Sequence, residues 1–71
     1  MTTLSNEEKL GIAQQHKRNL SYNKYNLELT LLEENAVTSP DTEVVNSLTS
    51  QISELNQKIT AIDAEIASLT E

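Results

Sequence analysis

Few side chains in this sequence could take part in catalysis, and their spacing does not bring them together. His16 is the only histidine, the residue type used most often for proton transfer in catalysis, and Lys17 and Arg18 follow it directly. Nucleophilic or acid–base catalysis needs partner groups, but the chain has no cysteine, no second histidine and a single glycine. We therefore expect no catalytic residue, and we interpret His16 as lying at the edge of a helical apolar stripe.

The carboxylates are poorly spaced for holding a metal ion. The pairs Glu7–Glu8 and Glu33–Glu34 are adjacent in sequence, so on a helix the two side chains of each pair diverge by about 100°. The absence of cysteine also removes thiolate ligands for zinc. We expect no metal site, no cofactor and no small-molecule substrate, and hence a protein that is not an enzyme.

A basic and aromatic cluster offers one alternative. His16, Lys17, Arg18 and Lys24 lie near Tyr22 and Tyr25, a composition that suits single-stranded nucleic acid. However, the 71-residue chain has a net charge of −6, and nucleic-acid binding is driven by excess Lys and Arg. We expect no nucleic-acid partner, and we interpret the cluster as complementing the more acidic second half of the chain.

Helix signals occur twice along the chain. The segment Ser5–Glu8 matches a capping box, and Ser39 followed by Pro40 fits a helix N-cap and first helical position. Only one glycine and one proline are present, too few for the turns of a sheet protein. The sequence predicts a single domain over 1–71, with helices over about 6–36 and 40–70 and a turn over about 37–39.

The second predicted helix has one continuous apolar stripe. Its apolar residues alternate in steps of three and four, the pattern of a coiled-coil seam. The seam residues are Val45, Leu48, Ile52, Leu55, Ile59, Ile62, Ile66 and Leu69.

The first predicted helix has two apolar lanes on nearly opposite sides. The long lane comprises Ala13, His16, Leu20, Leu27 and Leu31, flanked by Leu10 and Ile12. The tyrosine lane comprises Tyr22, Tyr25, Leu29, Leu32 and Ala36. Two opposed lanes require two partners, of which only one is the second helix.

The choice of lane depends on the register of the hairpin. A fold at Thr38–Ser39 would pair the inner half of the seam with the tyrosine lane, but it would leave the outer isoleucines opposite polar residues. We favour the long lane as the face toward the second helix and the tyrosine lane as the protein-interaction face, and the reverse assignment stays open.

These patterns predict an all-α, antiparallel helical hairpin of coiled-coil type that self-associates into a bundle. We expect a structural or assembly protein whose partner is another copy or another protein, with parallel or antiparallel packing between copies left open. The alternative is a small regulator or inhibitor that binds a host protein through the face Tyr22–Ala36.

The chain shows no sign of membrane insertion or export. No run approaches the ~18 apolar residues that span a bilayer, and the first residues lack the charged and apolar regions of a secretion signal. We expect no membrane partner and a cytoplasmic location where the protein is made.

No motif identifies a family. In size and architecture the chain resembles the small coiled-coil hairpins encoded by tailed bacteriophages, which are minor virion components or inhibitors of host proteins. The resemblance assigns no roles to individual residues, but it implies a viral protein and an association with the virion as one expected setting.

Overall fold

A computed structural model describes residues 3–70 of the chain as two long helices. α1 spans Asn6–Asn35 and α2 spans Thr42–Thr70, joined by a short connection. The helices run antiparallel and pack along their length, within overall dimensions of 55 × 23 × 14 Å. The predicted all-α helical hairpin is confirmed, and no strand occurs among residues 3–70.

The start of α1 is the predicted capping box. The backbone N–H of Glu8 donates to Ser5 Oγ over 3.1 Å, and the backbone N–H of Ser5 donates to Glu8 Oε1 over 3.1 Å. Hydrogen bonding with Ser5 holds the pKa of Glu8 below its ordinary value. The bond with the Ser5 backbone has the larger effect, and the bond with the Ser5 hydroxyl has the smaller one. The helix begins at Asn6, as the sequence predicts.

The start of α2 differs from the prediction. Asp41, rather than Ser39, is the N-cap: its Oδ1 accepts from the backbone N–H of Glu43 at 3.0 Å and of Val44 at 3.4 Å. The Asp41 N–H itself donates to Glu34 Oε1 over 3.0 Å. Because the carboxylate accepts from two free N–H groups of the first turn, α2 begins at Thr42 and Pro40 lies in the connection.

The inner face of α2 is the predicted seam. Leu48, with 7 % of its surface exposed, is the one buried residue among residues 3–70, and the other seven seam residues are half-buried. On α1 the half-buried residues also alternate in steps of three and four. They are Leu10, Ala13, Lys17, Leu20, Lys24, Leu27, Leu31 and Glu34.

The long lane therefore faces α2, and the correction concerns two lysines. His16 is exposed and Ile12 is 50 % exposed, so both lie at the edge of the inner face, as expected for His16. Lys17 and Lys24, which are not part of the long lane, occupy inner positions because they continue the alternating steps from Ala13. A lysine tolerates such a position because its aliphatic stem can pack while its ammonium group stays in water.

An ion pair joins the helices close to the level that a fold at Thr38–Ser39 predicts. That fold would place Thr60 opposite Lys17, and Lys17 Nζ lies 2.7 Å from Asp63 Oδ1, three residues farther along α2. The connection, residues 36–41, is centred on Thr38–Ser39.

Candidate protein-interaction face

The tyrosine lane lies exposed on α1. Tyr22, Tyr25 and Leu32 are 57 %, 60 % and 67 % exposed, Leu29 is 38 % exposed, and Ala36 is exposed. The lane extends along about 21 Å of helix. It lies on the side of α1 away from the inner face, and each of its large side chains keeps more than a third of its surface exposed. The structure brings together on one face of α1 the residues that the sequence predicts for protein interaction.

Arg18 borders this lane at its amino-terminal end. The guanidinium carbon lies 5.4 Å from the centroid of the Tyr22 ring, and Nη2 donates to Tyr22 Oη over 3.3 Å. Arg18, Ser21, Tyr22 and Tyr25 line one shallow cavity on this face of α1. Sequence reasoning placed Arg18 only in a basic cluster, although its spacing of four residues from Tyr22 is the spacing of helical neighbours.

At its other end, the lane adjoins the groove between the helices. Leu32 shares a shallow cavity with Leu31 of the inner face and with Thr49 and Ile52 of α2. Val37 and Val44, which the sequence reasoning did not include, are 53 % and 41 % exposed at this end of the hairpin. Apolar surface therefore continues from the lane toward the connection.

A second apolar groove lies at the open end of the hairpin. Ile12 and His16 of α1 line it together with Ile62 and Leu69 of α2. His16 is thus a border residue of an apolar groove, which agrees with its interpretation from sequence. Across residues 3–70, no group of three or more potential ligand side chains gathers in a way that could hold a metal ion.

Most basic and acidic side chains lie along the outside of the hairpin, whereas Lys17, Lys24 and Glu34 are half-buried on the inner face. No side chain among the described residues is both polar and buried. In the same part of the chain, neither helix combines the length and the hydropathy that a membrane crossing requires. The arrangement offers contact surface rather than an enclosed site.

Compared with protein-family models, curated proteins and solved structures, the chain has no match.

Proposed function

We propose that this chain is a non-enzymatic structural or assembly protein that acts by packing helices against helices. The observation that supports this proposal is the exposure of the tyrosine lane on the side of α1 away from α2. Tyrosine and arginine are the residue types in which binding energy concentrates at protein interfaces, and this lane combines Tyr22 and Tyr25 with the neighbouring Arg18.

The sparse burial of the isolated hairpin supports the same proposal. Among residues 3–70 only Leu48 is buried, so most apolar side chains keep part of their surface in water. Long helices gain most of their stability from packing of an apolar face. A further layer of helices over the tyrosine lane would cover exposed apolar area and stabilise the fold by mass action.

The assembly we propose consists of several hairpins in a bundle. A chain that assembles in repeated copies would serve as a minor structural component of a larger particle. A virion is one such particle, in line with the resemblance to phage-encoded hairpins.

The Arg18–Tyr22 contact favours one alternative function. A stacked arginine at the end of an apolar lane is a directional feature, since it can hydrogen-bond a carboxylate or a carbonyl of another protein. The alternative is a regulator or inhibitor that binds a host protein through the face Tyr22–Ala36.

Sedimentation equilibrium of the purified chain tests the proposal. We expect a mass above the 7.9 kDa of one chain at micromolar concentration, and a lower mass for the variant Tyr25→Glu with Leu29→Glu. The matched control is Asn19→Glu with Asn23→Glu, which adds the same charge at the same spacing to exposed positions outside the lane. A monomeric wild-type chain would contradict self-assembly and leave the regulator as the better account.

A further inference from the structure

The structure also indicates which partner covers the tyrosine lane and in which orientation. This inference rests on the proposed function. We propose that the occupant is a second copy of this chain, whose α1 packs antiparallel on the lane about a two-fold axis level with residue 27. The charges along α1 and the order of side chains in the lane support this orientation.

The charge of α1 changes sign in the middle of the lane. Residues 16–25 include Lys17, Arg18 and Lys24 and no acidic residue. Residues 26–35 include three glutamates and no basic residue. An antiparallel copy centred on this change sets the basic half of each α1 beside the acidic half of the other, whereas a parallel copy sets like charges side by side.

Not all of these charges are equally available to a partner. Lys17 already pairs with Asp63, the carboxylate of Glu34 accepts the N–H of Asp41, and Lys24 is half-buried on the inner face. Arg18 and Glu33 are exposed at opposite ends of the lane. Arg18 lies on the same helical line as Tyr25, seven residues later, and Glu33 follows Leu29 by four residues, the spacing of helical neighbours. Glu28, the third glutamate, lines the cavity between α1 and α2 instead. The complementary contact is therefore Arg18 of each copy with Glu33 of the other, which lies about one helical turn from the level of Arg18.

The order of apolar side chains fits the same orientation. A two-fold axis level with residue 27 sets Tyr22 opposite the partner's Leu32 and Tyr25 opposite the partner's Leu29. Each ring then packs on an aliphatic side chain, and the Arg18–Tyr22 stack keeps the guanidinium at the edge of the contact. A parallel arrangement would instead place Arg18 beside the partner's Arg18.

Charge reversal at the two ends of the lane tests this inference. Sedimentation equilibrium would compare wild type with Arg18→Glu, with Glu33→Arg, and with the double variant that carries both changes. We expect each single reversal to raise the dissociation constant about ten-fold, because like charges then meet twice across the two-fold axis. The double variant should return to within about three-fold of wild type, since opposite charges face each other again.

Lys58→Glu and Glu54→Arg are the matched controls, because they make the same changes of charge at exposed positions of α2. Both should associate as wild type does. Circular dichroism of every variant checks that the helices persist, and recovery in the double variant shows independently that neither change prevents folding.

The outcomes separate this inference from the proposed function. If association is insensitive to the single reversals, or is not recovered in the double variant, the antiparallel contact is wrong. The proposal that this chain is an assembly protein would still stand in that case. A wild-type chain that is monomeric at every concentration would overturn both.

Discussion

Lys17 Nζ lies 2.7 Å from Asp63 Oδ1, and this ion pair joins α1 to α2 in the half of the hairpin farther from the connection. The two side chains are 44 % and 48 % exposed, so the pair contributes little to stability. A slip of one helix against the other would separate the two charges, so the pair adds a small preference for this alignment. Lysine at an inner-face position therefore favours one alignment of the hairpin over its alternatives.

Replacing this lysine by an apolar residue should stabilise the hairpin. We expect Lys17→Met to raise the free energy of unfolding by about 1 kcal/mol, because an apolar side chain would fill an inner-face position now held by one that keeps its charge in water. Lys58→Met, at an exposed position of α2, should change it by less than about 0.5 kcal/mol. Urea denaturation at one fixed protein concentration measures both. A clear loss of stability in Lys17→Met would show that the ion pair does hold the helices together.

Truncations along the seam should differ in cost with position. Leu48→Ala removes the one buried side chain among residues 3–70 and should lower the free energy of unfolding by about 2–4 kcal/mol. Ile62→Ala changes a half-buried side chain that lines an open groove, and we expect about half that loss. Chemical denaturation followed by circular dichroism compares the two. Equal losses would contradict tighter packing at Leu48 than at Ile62.

The cap of α2 gives a sharp contrast between two neighbouring residues. Asp41→Ala removes the acceptor of two backbone N–H groups, and we expect it to destabilise the fold by about 1 kcal/mol. Ser39→Ala should have little effect, because Ser39 precedes α2 by three residues and does not cap it. Thermal unfolding of both variants tests this. The reverse ranking would restore Ser39 as the cap.

Acid should weaken the start of α1. Because Ser5 holds the pKa of Glu8 below its ordinary value of 4.5, the folded state favours the ionised carboxylate. The contribution of the capping box is therefore present above pH 4.5 and is lost as the pH falls through the lowered pKa.

A carbon-13 NMR titration of the Glu8 carboxyl group measures this directly and should give a pKa below 4.5. Ser5→Pro removes both the N–H and the hydroxyl that bind Glu8, while its ring suits the Ser5 backbone at φ −71°. We expect the pKa of Glu8 to return to its ordinary value in this variant. An unchanged titration would mean that the capping box does not persist in solution.

Much of the fold could be predicted because short-range sequence patterns, which mark helix starts and apolar stripes, agree with the way the two helices pack. The Ser5–Glu8 capping box and the seam from Val45 to Leu69 each depend on residues close in sequence, and both occur as predicted. The cap of α2 was misassigned because Ser39 and Asp41 both fit an N-cap, and the choice depends on a hydrogen bond between Asp41 and Glu34, seven residues apart.

The inner face of α1 was harder to predict for a different reason. The apolar pattern includes His16 and omits Lys17, yet Lys17 is the residue that lies on the inner face. Whether a residue faces α2 depends on its position along the helix, and the aliphatic stem of a lysine can pack there while its charge stays in water. The tyrosine lane could be identified from spacing alone. Its exposure could not, since that required knowing which of the two lanes α2 covers.

Copies of this chain should meet through the tyrosine lane, and tyrosine fluorescence can follow that contact. Tyr22 and Tyr25 are the only aromatic residues, so intrinsic tyrosine fluorescence reports on this lane alone. Acrylamide quenching, measured across protein concentrations that span the rise in sedimentation mass, tests the claim most directly. We expect the quenching constant to fall as association proceeds, because each ring becomes covered by a partner helix. A quenching constant that stays unchanged while the mass rises would show that the copies meet elsewhere and would contradict the account.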